Sequence, residues 1–243
     1  SASLVGSEMC IRDRYCKVRT RAVFAAVVLI GYSLLMYLVV APDAPDGTDP
    51  LSVAGNIAGW VDRQWLPGTF VYESFDPEGL LSTLPAIVSA LFGMFTGEFL
   101  LRKRSSLSGK RIALCMALAA VAITVIGIIW NCWIPINKKL WSSSFTCVVT
   151  GYSLGLFALF YYLIDVRGWK RWTFFFRVIG LNSITIYLAQ RIVGFGGIAN
   201  FFFGGAASHC PEAIARVISN AGYVAICWLF LYFLYRKSTF LKV

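Results

Sequence analysis

Six apolar runs, each about as long as a bilayer is thick, leave this chain few ways to fold. They fall at 22–41, 80–101, 112–134, 143–164, 174–195 and 213–235. A helix needs roughly 20 apolar residues to cross the hydrocarbon core. Lipid offers no partner for free backbone N–H and C=O groups, so runs of this length are predicted to be helices. The expected fold class is all-α: a polytopic membrane bundle of about six transmembrane helices. Composition agrees, because 58% hydrophobic against 14% charged residues and a mean hydropathy of +0.70 leave too little polar surface for a water-soluble domain.

The formal net charge of +10 is explained by where the charges lie. Lys17, Arg19 and Arg21 precede the first run, Arg102, Lys103, Arg104, Lys110 and Arg111 join the second to the third, Arg167, Lys170 and Arg171 join the fourth to the fifth, and Arg236, Lys237 and Lys242 follow the last. All four clusters fall on one side of a six-span bundle. The positive-inside rule makes that side cytoplasmic, with both ends of the chain inside. The opposite loop, 42–79, carries Asp43, Asp46, Asp49, Asp62, Glu73, Asp76 and Glu78 against a lone Arg63, and is read as facing a periplasm or lumen. A topology signal of this kind argues against nucleic acid as a partner. The partner it implies is membrane lipid, and a homo-oligomer is compatible with it.

The seven cysteines form neither a CxxC nor a Cys/His ligand spacing, so no metal site is expected. Residues 4–13, Leu4 to Asp13, look like the reading-frame translation of a sequencing adapter, and residues 1–14 are set aside as non-native. Residues 15–243 then form a single transmembrane bundle, expected to be the later part of a longer protein. Between the first two runs, Leu51, Ile57, Ala58, Val61 and Trp65 recur near helical spacing and predict a short helix on the membrane surface. Gly93 with Gly97 and Gly151 with Gly155 repeat the small-xxx-small spacing that lets membrane helices approach closely, and both are expected to pack against neighbours. Glu98, one turn from Arg102, reads as an interfacial side chain pairing with it or reaching toward water.

Three polar constellations could carry chemistry. In Asp76-Pro77-Glu78-Gly79, aspartate suits a helix cap, proline the first helical position and glutamate the positive end of the helix dipole; the competing reading has Asp76 or Glu78 meeting a substrate. In Pro135-Ile136-Asn137-Lys138-Lys139-Leu140-Trp141-Ser142, two lysines break the positive-inside pattern, and they either neutralise the acidic loop or bind an anionic group with Asn137. In the fifth run, Asn182, Ser183, Thr185, Tyr187, Gln190 and Arg191 interrupt an apolar helix; Ser183, Tyr187 and Arg191 repeat every four residues and predict a polar face lining a wet cavity. The single histidine, His209, stands in the stretch 204–210, read as a loop, with no nucleophile or acidic partner at a recognisable spacing.

Phe75 to Ile87, Pro135 to Ser142 and Gly180-Leu181-Asn182-Ser183-Ile184, in that order and with Asp165-Val166-Arg167-Gly168 as a fourth stretch, resemble the heparan-α-glucosaminide N-acetyltransferase family and its bacterial homologues. The resemblance implies a membrane acyltransferase that takes acetyl from cytosolic acetyl-CoA and delivers it to an amino sugar on the far side. It also implies a multi-pass protein of a bacterial inner membrane. The family's histidine belongs to an N-terminal region with a DLVFP-like span; that motif does not occur here, and no catalytic residue is transferred to His209. Asn137, Lys138, Trp141, Asn182, Ser183 and Tyr187 are the expected lining of an acceptor and acyl pocket, with Asp76 and Glu78 orienting the amino sugar. The competing function is a solute or sugar transporter without acyltransferase activity. On the acyltransferase reading, the chain by itself is expected to be inactive.

Overall fold

The computed structural model describes residues 17–66 and 79–239, and all regular structure among them is helical. The chain divides into two compact units, Ser1–Gly168 and Trp169–Val243.

In the first unit, α1 (Val18–Leu38) buries Ala25, Leu29, Tyr32 and Met36, a stripe spaced at three and four residues. The upper part of this stripe meets Ile87, Val88 and Leu91 of α3 (Thr83–Lys103) and Cys147 of α5 (Ser143–Tyr161). Its lower part, Tyr32 and Met36, meets Ile57 and Ala58 of the short α2 (Ile57–Trp65) and Leu140. The tightest pairing is between α4 (Gly109–Trp130) and α5, where a methyl group on Gly151 would come within 2.9 Å of the Ala120 carbonyl oxygen and the Thr124 nitrogen. A methyl group on Gly127 would come as close to α5, 2.9 Å from the Ser144 carbonyl oxygen and the Val148 nitrogen. Beyond Tyr161, the chain widens into a π-helical turn, Tyr162–Val166, and stops at Gly168 with φ +72°.

The outer face of α4 shows why lipid must surround this unit. Leu114, Leu118, Val121, Val125 and Ile128 recur along it, all exposed, Leu118 and Val121 each to 61%. Water would not tolerate such a stripe, and a bilayer would.

In the second unit, α6 (Thr173–Leu181), α7 (Ser183–Ile192) and α8 (Phe195–Ser208) precede the long α9 (Glu212–Arg236). Aromatic rings join α6 to α9: Phe175 stacks on Trp228 at 5.7 Å, and Arg177 donates to the Tyr235 hydroxyl at 2.6 Å. Phe195 of α8 packs on Phe230 of α9 at 5.4 Å.

Among the described residues, five helices are long and apolar enough to cross a membrane, or six if the bent pair α7 and α8 counts as one span. The expected number, about six, lies within that range, and the sixth candidate covers 183–208 in place of 174–195. The run at 174–195 is not a continuous helix: it breaks at Asn182, whose φ of −131° and ψ of 32° lie outside the helical range. Asparagine competes with the backbone for hydrogen bonds and so favours such breaks. After Gly194 the chain turns by 81° and re-enters helix as α8. Residues up to Ser208 are helical, which corrects the loop expected at 204–210; the stretch is rich in alanine and glycine but contains no proline until Pro211.

The short helix expected between the first two runs is present as α2, and it turns Ile57, Ala58 and Asp62 inward. Asn56 caps it by accepting from Gly59 N–H at 2.6 Å, and Asp62 is buried to 1% exposure while Trp65 is 73% exposed. Apolar spacing gives no weight to an acidic residue, so the burial of Asp62 was not expected from it. The reason for Asp62 lies across the chain: its carboxylate accepts from Leu80 N–H at 2.9 Å, at the turn that leads into α3. A methyl group on Gly79 would overlap that carboxylate, so glycine is needed there for space. Arg63, on the exposed side, closes the preceding loop through a bidentate pair with Asp43 at 2.7–3.0 Å.

Candidate functional site

The stretch 135–142 is folded by its own side chains. The Ser142 hydroxyl lies at its centre: it donates to the Pro135 carbonyl at 2.9 Å and accepts from the Asn137 N–H at 3.0 Å and, as the N-cap of α5, from the Phe145 N–H at 3.3 Å. Asn137 makes a second local turn, its Oδ1 accepting from Lys139 N–H at 2.9 Å. Trp141 takes a left-handed conformation at φ 49° and sets its ring edge-on to Phe145 at 5.5 Å. Its Nε1 is buried with no hydrogen-bond partner. Lys138 is exposed.

This turn is fastened to α1. Tyr32 donates its hydroxyl to the Leu140 carbonyl at 2.6 Å, and Ser143 donates to the Leu29 carbonyl at 2.8 Å. Between turn and helix lies a small cavity of about 30 Å³ lined by Ser33, Met36, Leu51, Asn137 and Leu140 among others. Of the sequence candidates, Asn137 reaches this cavity. Ser33 also lines it and was not expected from sequence. A serine inside an apolar run carries no signal until its neighbours are known.

A second feature of this unit is a crevice beside α3. One cavity of about 340 Å³ is lined by Ser89, Gly93, Gly97 and Ser153, and another of about 300 Å³ by Phe95, Cys115 and Ile123; Phe92, Thr96, Thr150 and Leu154 line both. Gly93 and Gly97 have nothing within 4 Å of where a side chain would begin. The two glycine pairs, alike in spacing, thus differ in use: Gly151 seats α5 against α4, and Gly93 and Gly97 border open space. The expectation that the latter pair packs on a neighbour is corrected for the described residues.

Near the opposite end of α3, Arg21 is buried to 3% exposure and pairs with Glu98, and its guanidinium lies 5.8 Å from the Phe95 ring centre. Glu98 holds Arg102 more loosely, at 3.7 Å. The pairing read from sequence was the weaker of the two. At this end a further cavity, of about 360 Å³, is bordered by Leu100, Arg104, Phe160, Tyr161 and Asp165. Arg102, Lys103, Lys110 and Arg111 are exposed.

In the second unit, Asn182 is buried to 1% exposure at the break between α6 and α7. Its Oδ1 accepts from Thr185 at 3.3 Å, and its Nδ2 has no partner. Ser183 and Tyr187 are exposed, Tyr187 to 64%. His209 sits at the end of α8 with its Nδ1 2.7 Å from the Gly205 carbonyl oxygen, a helix-end contact. Asp76 and Glu78 lie outside the described residues. The first helical residue of α3 is Thr83, with Ser82 at the cap position, and the carboxylate serving the turn before it is that of Asp62. No group of histidine, cysteine and carboxylate side chains among the described residues could hold a metal ion.

No family model matches the chain. It is 28% identical over 211 residues to the heparan-alpha-glucosaminide N-acetyltransferase of Mus musculus, and equally to that of Homo sapiens. The similarity is to an N-acetyltransferase. The match takes in 78% of this chain, and it spans 30% of each relative's length. With the long apolar helices, it supports a membrane acetyltransferase family and a multi-pass protein in a lipid environment.

Proposed function

We propose that this chain is part of a membrane acyltransferase that moves acetyl from acetyl-CoA to the amine of an amino sugar on the opposite side of the membrane. The observation that carries the proposal is the similarity to two N-acetyltransferases along most of this chain. The geometry supports it at two separate places. The end of α3 with Arg104, Arg102 and Lys103 borders a large cavity, and exposed cations there suit the phosphates of an acyl donor. The turn at 135–142 supplies Asn137, Lys138 and Trp141 beside a smaller cavity, with Asn137 in its wall. Asn182, buried with a free amide donor, and its neighbours Ser183 and Tyr187 are proposed to bind in the same reaction. Asp76 and Glu78 are proposed to orient the protonated amino sugar.

In the proposed reaction, the sugar's amine nitrogen attacks the thioester carbonyl, the C–S bond breaks, CoA leaves as the thiolate, and the amine loses a proton to a base. That base, or a transient acyl carrier, is proposed to be a histidine from another part of the full enzyme. His209 is not chosen, since it is exposed and held to a helix end. The setting is proposed to be a bacterial inner membrane with both chain ends cytoplasmic, although both relatives are mammalian.

The test is transfer of labelled acetyl from acetyl-CoA to glucosamine, by membranes carrying the gene's complete coding sequence and by the purified chain. Transfer by the former, lost in Asn137→Ala, is expected. Absence of both acetyl-CoA binding and acetyl transfer in the complete protein would sink the proposal. Transfer by residues 15–243 alone would refute the external base.

A further inference from the structure

In the second unit, α8 and α9 run antiparallel. Phe195 packs on Phe230, and a methyl group on Gly222 would overlap the Phe203 ring, so a step forward along α8 matches an equal step back along α9. The bend of 81° before α8 therefore sets α7 nearly at right angles to both. Since α9 is long and apolar enough to cross a membrane, α7 lies close to the membrane plane. Its depth can be read from α9. The bend stands beside Phe230, which precedes Arg236 by about 9 Å of helix. Trp228, Tyr232 and Tyr235 surround this level, as aromatic residues do at a membrane–water interface. Here α6 also meets α9, through Phe174 on Tyr235 and Phe175 on Trp228.

The surface of α7 falls into three sectors at about 100° of turn per residue. Thr185, Ile186 and Ala189 follow the buried Asn182 on one side and are half-buried. Ser183, Tyr187, Gln190 and Arg191 share the next side and are exposed. Ile184, Leu188 and Ile192 share the third and are exposed too, Ile192 to 85%. A helix surrounded by water has no use for the third sector, and a helix surrounded by hydrocarbon has none for the second. A helix at the boundary uses both, with its apolar side about 5–10 Å into the acyl region. The charge around it has one sign: Arg167, Lys170, Arg171, Arg177 and Arg191 stand between Asp165 and Glu212 with no acidic residue among them. Arg191 makes no hydrogen bond or ion pair among the described residues, and Arg236 and Lys237 are exposed at the nearby end of α9.

We propose that α7 is an interfacial helix that binds the headgroups of anionic phospholipids. Ile184, Leu188 and Ile192 enter the acyl region, Ser183, Tyr187 and Gln190 stay in water, and Arg191, at the border of those two sectors, meets the lipid phosphate. The run at 174–195 then does not cross the membrane. Its polar residues face the headgroup layer on the side of Arg236 and Lys237, which the charge pattern makes the cytoplasmic side. This inference goes beyond the acyltransferase proposal and does not depend on it.

The test reads the depth of α7 in the complete protein, reconstituted in vesicles of phosphatidylcholine and phosphatidylglycerol. Single cysteines, in a background without the native ones, carry a spin label whose contact with oxygen reports lipid and with a nickel chelate reports water. Ile184→Cys, Leu188→Cys and Ile192→Cys are expected to favour oxygen, and Ser183→Cys, Tyr187→Cys and Gln190→Cys the chelate, with no drift in mean depth along the helix. Steady deepening from 183 to 192 would show a crossing helix, and low access to both reagents all round would show a helix covered by other protein; either result overturns the proposal. A second measurement keeps the native cysteines, so it decides if the cysteine-free background fails to fold. Spin-labelled phosphatidylglycerol is expected to associate with the protein more than spin-labelled phosphatidylcholine. Arg191→Gln should lower that preference by up to about fivefold, the effect of one cation at a charged surface, and Arg191→Lys should keep it. An unchanged preference in a folded Arg191→Gln protein would overturn the binding of anionic headgroups by α7.

Discussion

Replacing Gly151 with alanine should loosen the α4–α5 pair, whereas the same change at Gly93 or Gly97 should not. At Gly151 the new methyl group would overlap the Thr124 hydroxyl and stand 2.9 Å from two backbone atoms of α4. The hydroxyl can rotate away, but the backbone cannot, so the helices must part by about half an ångström to reach ordinary contact. A gap of that size forfeits a quarter or more of the dispersion energy along the seam, and overpacking of this kind costs about 1–3 kcal/mol. Against this, alanine is about 1 kcal/mol better than glycine within a helix. The propensity gain is common to all three positions, so the difference between Gly151→Ala and Gly93→Ala isolates the packing cost. Gly151→Ala should melt several degrees below the parent protein, and Gly93→Ala and Gly97→Ala at or slightly above it. Circular dichroism of the purified protein in detergent during heating is the assay. Equal melting of the Gly151 and Gly93 variants, or a larger loss at Gly93, would refute the distinction between seam and open crevice.

Arg21→Met should cost about 3 kcal/mol, the lower end for breaking a buried pair, because Glu98 is one-quarter exposed and keeps Arg102 nearby. Adding Glu98→Gln should recover most of that loss in a denaturant-based double-mutant cycle. Gly79→Ala should cost about 2 kcal/mol by displacing the Asp62 carboxylate from Leu80 N–H. In an Asp62→Ala background the same change should cost little, and additive losses in urea titrations would show that the two residues do not meet. Ser142→Ala removes an N-cap and the centre of the 135–142 turn and should cost about 2 kcal/mol by thermal unfolding, with Ser142→Thr close to the parent.

Much of the site was unreadable in one dimension, and particular residues show why. Asp62 and Asp76 look alike in an acidic loop, but only a fold can bury one against the Leu80 amide. Arg21 reads as one more positive-inside charge, although the shift of α1 to begin at Val18 places it within the helix, against Glu98. Asn137 was recognisable as unusual, and the structure gives its oxygen a local structural task while placing the residue at a cavity. Ser33 had no marker, since its place in a cavity wall depends on Leu140 and Asn137, more than one hundred residues away in the chain.

By itself, the sequence determined the class of this protein. Segment length, hydropathy and the requirement that backbone groups be satisfied in lipid act locally, so a helical membrane protein with up to six spans follows without knowledge of contacts. The tertiary structure decided how equivalent patterns are used. It made one glycine pair a seam and the other a border of open space, broke the fifth run at Asn182, and buried Asp62, Arg21 and Ser33. Those outcomes depend on which helix lies opposite each residue, and close packing between distant segments has no period along the chain.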